Sequence, residues 1–330
     1  MGLLRTVRRV SARVQRDRPT AAPVGAPRVL VVFAVDAEGA EAGGSGGTPG
    51  ARPALSLHAF APGGEVWHLF RSPWRTRHRD SLGAHPRLTW FVRFDRHLEA
   101  AGGRDLVWRA LCRAAGTGLD GWGDEVAWHH HHMAFDPRAG RWRFDTDYRG
   151  NRDHEQALAA FVAATGRFPT AFRSGALVEP EELASWVAAR IPFDFSLPVG
   201  PARTRRRDDA IRGITVDWRW APNDWTPVRR GASTLFATAT TPRWIDLAFD
   251  RAHRQQDPVL LALALHDADP LRERLAAWLR RIASAARRTG LGYRFATASE
   301  AAQAVLGPSR SEGTARPDRM EEDARCVSAS

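Results

Sequence analysis

The chain contains no lysine and only two cysteines, Cys112 and Cys326. So few cysteines argue against a disulfide framework and against a thiolate metal site, and they leave the redox compartment open. All 48 basic residues are arginines, and the formal net charge is +11. A genome-wide codon bias can account for part of this charge. Because no zinc finger, aromatic-basic repeat or helix-turn-helix pattern accompanies it, nucleic-acid binding is not expected.

Long apolar runs are also missing. No stretch could cross a bilayer, and the arginines near the N-terminus are not followed by the hydrophobic core of a signal peptide. We therefore expect a cytoplasmic protein. Within residues 1–14, apolar side chains recur at helical spacing among arginines, which would suit weak contact between a helix and an anionic membrane surface. A disordered basic arm is the favoured alternative.

The pattern predicts a folded middle with weak ends. The 330 residues suffice for one full core. We expect a basic, disordered arm over residues 1–27, a barrel over residues 28–306 and a disordered tail over residues 307–330. In the middle, strand and helix patterns alternate in about seven steps, as in a parallel α/β barrel.

Some elements can be placed from the pattern alone. Residues 54–60 and 65–70 predict a hairpin next to a loop over residues 39–53, and residues 98–115 predict one helix weakened at Gly102 and Gly103. The other predicted elements are a helix over 152–165 closed by Gly166 and capped by Asn151 or Asp153, a strand over 168–172, a strand over 214–220 after a basic loop at 203–207, and a helix over 270–289 ended by Gly290.

Polar side chains follow three apolar runs. The first run leads into Asp36-Ala37-Glu38, the second into the four histidines at 129–132, and the third into His266-Asp267. Parallel α/β folds assemble their sites at the carboxyl ends of strands. The three groups therefore predict a metal-dependent hydrolase.

The motifs, taken in order, resemble the polysaccharide deacetylase family, also called the NodB-homology or carbohydrate esterase family four domain. The matching segments are Asp36-x-Glu38-Gly39, Thr89-Trp90-Phe91-Val92-Arg93, Glu125-Val126-Ala127-Trp128-His129-x-His131, Phe172-Arg173, Phe193-Asp194-x-Ser196 and Leu265-His266. The similarity spans about residues 28–306. It implies a distorted (β/α) barrel, usually of seven strands, that uses one divalent metal ion, with zinc the first expectation, to remove acyl groups from amides of amino sugars.

The resemblance implies that Asp36 is the catalytic base and Glu38 the carboxylate ligand of the metal. Residues i and i+2 of an extended chain face the same way. We expect a turn just after Asp36, which would let Asp36 and Glu38 both act at one metal ion in their different roles. An ordinary carboxylate at the start of a loop, beside a solvated glutamate, is the alternative.

The histidine run departs from the usual family pattern. A second metal histidine usually stands four residues after the first, and that position here is Met133. Some members use Trp-His-Pro-His, which corresponds to residues 128–131 and places His129 and His131 on one face. Neutral imidazoles at that spacing can chelate zinc. We expect these two as ligands, with His132 the first substitute if the backbone turns; a surface histidine run without a metal is the alternative.

Two further roles are implied by the resemblance. Arg173 matches the arginine that contacts the base carboxylate, with a surface ion pair as the alternative. His266 matches the general acid, because an imidazolium can protonate a departing amine near neutral pH; a satisfied core histidine is the alternative. Asp194 and Ser196 are weaker candidates, as an acid that orients the histidine or as a strand-end cap.

Large aromatic side chains are candidates for stacking on a sugar ring, although tryptophans mostly serve packing. These candidates are Trp67, Trp74, Trp218, Trp220 and Trp225.

The leading hypothesis is a hydrolase of an N-acetylated carbohydrate. Hydrolysis of a non-sugar C–N bond is one alternative. A catalytically inactive barrel that acts as a glycan-binding or membrane-associated scaffold is the other, motivated by Met133 and by a glutamate in place of the usual aspartate ligand.

Overall fold

The computed structural model describes residues 27–41, 55–145, 152–177, 179–199, 225–255 and 257–307. Several predicted features lie outside these residues: the helix or arm over residues 1–14, most of the loop over residues 39–53, the basic loop at 203–207, the strand over 214–220 and the tail. Within the described part of the chain, no helix is long and apolar enough to span a membrane.

The described residues alternate between strands and helices. The strands are β1 Val29–Ala37, β2 Ala40–Glu41, β3 Leu55–Ser56, β4 Leu88–Arg93, β5 Glu125–His130, β6 Met133–Asp136, β7 Arg141–Phe144, β8 Ala171–Ser174, β9 Phe193–Pro198, β10 Val228–Arg230, β11 Ser233–Ala239, β12 Val259–His266 and β13 Tyr293–Phe295. The helices are α1 Glu65–Arg71, α2 Arg96–Ala101, α3 Leu106–Ala115, α4 Gly118–Trp122, α5 Asp153–Thr165, α6 Glu181–Ala188, α7 Arg243–Gln255, α8 Leu271–Thr289 and α9 Ala298–Leu306.

Seven parallel strands close into a ring. Their order is β1, β4, β5, β8, β9, β11 and β12, and β12 pairs with β1 again. β10 is antiparallel to β11, and β13 pairs with β1. The expected (β/α) barrel of seven strands is therefore confirmed.

The two faces of the ring build two apolar clusters. Along β1, Leu30, Val32 and Ala34 belong to the cluster that fills the barrel, together with residues of the other strands and of α9. The alternate residues of β1 pack outward against the helices. Because side chains of a strand alternate between its two faces, the residue two positions beyond Ala34 continues the inward row at the rim.

The hairpin expected over residues 54–60 and 65–70 is wrong. Leu55–Ser56 pairs instead with Ala40–Glu41, and Glu65–Arg71 is a helix. Val66 and Leu69 are buried three residues apart, which is helical spacing. A short run with so few apolar residues fits either period, and packing against the core decides between them.

The single helix expected over residues 98–115 is two helices, α2 and α3. Gly102 and Gly103, between them, have φ of 147° and 134°, values that glycine adopts readily and that a helix cannot accommodate. The other boundaries are closer. α5 ends at Gly166 and α8 at Gly290, both left-handed, as predicted.

Two details of α5 and β8 also differ from expectation. Asp153 is the first residue of α5 rather than its cap, and its carboxylate accepts hydrogen bonds from Arg96 N and Arg104 Nη1. Asn151 lies outside the described residues. The strand expected over residues 168–172 begins at Ala171, because Phe168 is half exposed and precedes the pairing.

Candidate active site

Polar side chains from four strands meet at one rim of the barrel. Asp36 of β1 lies opposite His266 of β12, and His129 of β5 lies opposite Arg173 of β8. In β1, β5 and β8 these residues stand two positions beyond an alanine of the interior cluster. They therefore continue rows that point into the barrel. The strand register, rather than loop geometry, brings them together.

Asp36 is held by Arg173. Arg173 Nη1 donates to Asp36 Oδ1 at 2.6 Å, and both side chains are buried, so this is not the surface ion pair of the alternative. The guanidinium also lies 4.2 Å above the ring of Phe91. A charge-assisted hydrogen bond of this length fixes the orientation of a carboxylate. Asp36 Oδ2 then lies 3.8 Å from His266 Nε2.

Glu38, His129 and His131 form a group with the spacing of metal ligands, because their donor atoms lie within 4.8 Å of one another. His129 Nε2 and His131 Nε2 are 2.9 Å apart. Glu38 Oε1 lies 3.3 Å from the first nitrogen, and Oε2 lies 3.5 Å from the second. Two imidazoles and one carboxylate are a donor set that zinc and similar divalent ions prefer in hydrolytic sites.

Protonation within this group also fits a cation. His129 Nδ1 lies 2.9 Å from the carbonyl oxygen of Arg173. The carbonyl can only accept, so Nδ1 carries the proton, and in the neutral ring the Nε2 lone pair faces Glu38 and His131. Burial, aided by Arg93, lowers the pKa of His131 to about 3. Although burial opposes ionisation of Glu38, its interactions with the two histidines hold its pKa well below the usual range.

His266 stands at the open side of the group. Its side chain is 50% exposed, so it is not a core histidine, and Nε2 lies 3.7 Å from Glu38 Oε1. Asp269 Oδ2 lies 3.8 Å from Nδ1. The carboxylate of Asp269, with the charges of Asp36 and Glu38, raises the pKa of His266 to about 9 against the effect of burial. The ring is therefore an imidazolium near neutral pH.

Asp267 shapes the turn that brings Glu38 beside Asp36. Its carboxylate accepts from Glu38 N at 3.1 Å and from Gly39 N at 2.8 Å, and its own N–H donates to Asp36 O at 3.0 Å. Gly39 has φ of 72°, which favours glycine. Burial, followed by the charge of Glu38, raises the pKa of Asp267 to about 7.

The neighbouring residues of the histidine run do not join the ligand group. His130 faces the outer layer, where its Nδ1 donates to Phe94 O at 3.0 Å. The ring of His132 lies against Phe144, at 5.1 Å between centroids. Met133 begins β6 and pairs with Phe144. The ligand group thus takes two histidines from this run, His129 and His131, to join Glu38, and the Met133 position plays no part in it.

Of the two alternatives for Asp194, the strand-end cap fits its contacts. Asp194 alternates with interior residues of β9, so it faces outward, where it accepts from Arg230 Nη2 at 2.6 Å and from Ser196 N at 2.9 Å. Ser196 Oγ accepts from Ser174 N. Asp269 occupies the place beside His266 instead.

Three of the five candidate tryptophans lie within the described residues, and these three contribute to packing. Trp67 and Trp74 pack against the outer core, and Trp225 is buried within it. Trp74 Nε1 donates to Leu69 O at 3.0 Å. Trp218 and Trp220 lie outside the described residues.

Sequence reasoning missed three contributors to the site. Asp267 and Asp269 position Glu38 and His266, and the sequence His-Asp-Ala-Asp directly after an apolar strand was a usable signal for both. Phe144 stacks on His131, with centroids 5.6 Å apart and an interplanar angle of 27°. It comes from a hairpin of β6 and β7, which the sequence pattern did not indicate.

The chain is thus a seven-stranded (β/α) barrel with a carboxylate–histidine group at the carboxyl ends of its strands. No family model and no curated protein matches it. It is similar to a probable polysaccharide deacetylase from Pseudomonas aeruginosa PAO1, at 16% identity and a TM-score of 0.48, over 84% of this chain and 90% of that one.

Two other solved structures are similar to it. One is the Puue allantoinase, at 15% identity and a TM-score of 0.48, over 87% of this chain and 93% of that one. The other is a putative polysaccharide deacetylase from Mycobacterium smegmatis, at 14% identity and a TM-score of 0.41, over 91% of this chain and 99% of that one. At these identities and TM-scores the neighbours assign no role to any residue of this chain.

Proposed function

We propose that the protein is a metal-dependent hydrolase that removes an acyl group, first of all an acetyl group, from the amide nitrogen of an amino sugar or glycan precursor. The observation that carries this proposal is the meeting of a held carboxylate, a protonated histidine and a ligand group at one rim. His266 Nε2 lies 3.8 Å from Asp36 Oδ2 and 3.7 Å from Glu38 Oε1.

Glu38, His129 and His131 would hold the ion, because the donor atoms of one carboxylate and two imidazoles lie within 4.8 Å of one another. A divalent ion bound there would polarise the acyl carbonyl and make a water molecule more acidic. The Arg173 carbonyl fixes the proton of His129 on Nδ1, and Asp267 holds the turn that carries Glu38. Such supporting contacts maintain both the orientation and the basicity of ligands.

The remaining side chains move the protons. Hydrolysis adds OH to the acyl carbon and H to the amide nitrogen. Asp36, oriented by Arg173, accepts the proton of the attacking water, and His266 donates a proton to the nitrogen as the C–N bond breaks. The products are a carboxylate and a free amine. His266 is half exposed at the rim, so it can reach the leaving group of a bound substrate.

The inactive-scaffold alternative rested on Met133 and on glutamate as the carboxylate ligand. Neither observation now favours an inactive protein. Met133 lies in β6 away from the ligand group, and Glu38 lies within reach of both histidines. Hydrolysis of a non-sugar C–N bond needs the same groups. A substrate panel separates it from the sugar hypothesis.

The test is release of carboxylate and amine by zinc-loaded protein from N-acetylated sugar oligomers, a simple N-acetyl amine and a cyclic ureide. Asp36→Asn should lower turnover by about 10²- to 10⁴-fold with the zinc content unchanged. Asp120→Asn, at an exposed position of α4, is the control and should retain full turnover. Turnover that survives Asp36→Asn would contradict the assigned base, and a loaded protein that cleaves none of the panel would favour the scaffold.

A further inference from the structure

A short segment after β8 touches the candidate site in three places. It comprises Arg173 and Ser174 at the end of the strand and the 3-10 turn Gly175–Leu177. The Arg173 side chain holds Asp36, and its carbonyl binds His129 Nδ1. Gly175 is the third contact, because it lies directly beneath the ring of His131.

Gly175 leaves space that the imidazole fills. A Cβ at this position would lie 2.3 Å from His131 Cδ2, 2.6 Å from Cγ and 2.8 Å from Nε2. All three distances are far below van der Waals contact, so the ring would have to retreat by about 1 Å. Gly175 is absent from the residues with positive φ, and alanine could therefore adopt its backbone conformation. The requirement for glycine here is one of space.

The ring has nowhere to retreat without leaving the ligand group. His131 is 7% exposed. Phe144 stacks on one side of it, and the ring of His129 stands nearly perpendicular to it, 4.7 Å away between centroids. A metal ligand tolerates displacements of about 0.2 Å, so a movement five times larger would take His131 Nε2 out of reach of a shared ion.

The backbone around Gly175 is also constrained. Ala176 and Leu177 follow with φ of 55° and 56°, left-handed values that residues with side chains rarely adopt. Such conformations persist only where the surroundings hold them in place, and they gather at functional sites. A segment held in this way cannot simply shift to accommodate a side chain at position 175.

We infer that Gly175 is a positioning residue, whose missing side chain allows His131 to lie in the orientation that binds metal. This inference rests on the proposed metal site. It assigns Gly175 no contact with substrate or with the ion, and it predicts that the effect of a side chain at 175 is transmitted through the imidazole of His131.

The test is zinc affinity of the full chain, measured by competition with a chromophoric chelator, together with the absorption spectrum of the cobalt-loaded protein. Gly175→Ala should weaken zinc binding by about 10- to 100-fold and alter the cobalt spectrum. Gly121→Ala is the matched control, because Gly121 has ordinary φ and nothing within 4 Å of its added Cβ. It should bind zinc as the wild type does.

The double variant His131→Ala/Gly175→Ala shows whether the effect passes through the imidazole. It should bind zinc as weakly as His131→Ala alone, and it should fold even if Gly175→Ala does not, because the clashing ring is gone. Equal zinc affinity of Gly175→Ala and wild type would overturn the inference, as would a double variant that binds more weakly than His131→Ala or fails to fold. A wild-type protein that binds no zinc would instead overturn the proposed function.

Discussion

The replacement of Asp269 by asparagine tests how the candidate acid keeps its proton. The pKa of His266 is raised to about 9, with the nearby carboxylate of Asp269 as the largest cause and with Asp36 and Glu38 adding to it. Asparagine removes the charge of residue 269 and keeps an oxygen that can accept from His266 N, as Asp269 Oδ2 does at 2.9 Å. The variant therefore changes the electrostatics of the ring more than its placement.

The expected size of the effect follows from the distances. Removal of an opposite charge at about 4 Å should lower the pKa of His266 by about 1 to 2. The charges of Asp36 and Glu38 remain, so the pKa should stay above the ordinary value of a histidine. His266 of the variant should then titrate between about pH 7 and pH 8. At pH 7 its protonated fraction should fall from about 99% to between about 50% and 90%.

Two measurements follow this titration. The ring signals of His266 in nuclear magnetic resonance of the metal-free protein give its pKa directly, and the basic limb of the kcat/KM profile of the zinc-loaded protein should move in the same direction. The pKa of the folded protein exceeds that of the unfolded chain, so this interaction stabilises the fold fully below about pH 6.5 and is lost as the pH rises through about 9. In Asp269→Asn that loss should be complete at lower pH.

Glu273→Gln is the control for Asp269→Asn, because it removes one exposed carboxylate from the first turn of α8. It should leave the titration of His266 in place. A His266 pKa that stays near 9 in Asp269→Asn would refute the electrostatic explanation, and so would a basic limb that moves equally in both variants.

Two further predictions concern the ligand group and the core. His129→Ala should reduce bound zinc after exhaustive dialysis from about one ion per chain to a small fraction, measured by elemental analysis; retention of the ion would remove His129 from the ligand set. Asp124→Ala should lower the free energy of unfolding, measured by urea denaturation, by about 3 to 5 kcal/mol. Arg75 would remain buried without the carboxylate that accepts hydrogen bonds from both of its Nη atoms. Asp120→Asn, also in this region but exposed, should change the stability by less than about 0.5 kcal/mol.

The sequence was sufficient to predict the barrel and the polar residues at the ends of its strands. β1 and β12 are apolar on both faces, as strands covered on both sides must be, so the first polar residues after them mark the rim. Asp36 and His266 were found in this way. The resemblance then supplied Arg173 and the choice of His129 and His131, and the strand register places these residues side by side.

The sequence marks Asp267 as a polar residue at the end of β12, but it does not show which groups this residue contacts. Its carboxylate accepts from the amides of Glu38 and Gly39, more than 220 positions away in the chain, and no local pattern identifies such partners. In the sequence, nothing distinguishes Gly175 from a glycine in any turn. Its role depends on the nearby ring of His131, which only the structure shows. Two alternatives stayed open for Asp194 because its motif does not reveal which face of β9 it occupies; alternation with Phe193 and Phe195 turns it outward.

In this closed ring, the strands set the distances between the reactive groups, and the connections between strands and helices control which molecules reach them. In a closed barrel the strand number and stagger set the width of the mouth, so the distance from Asp36 and His266 on one side to His129 on the other is a property of the frame. The connections that rise from this rim are free of that constraint. Exchange of a connection that makes no contact with the reactive groups would change which molecules enter while those groups keep their places. The hairpin of β6 and β7 would have to keep Phe144, because its ring stacks on His131.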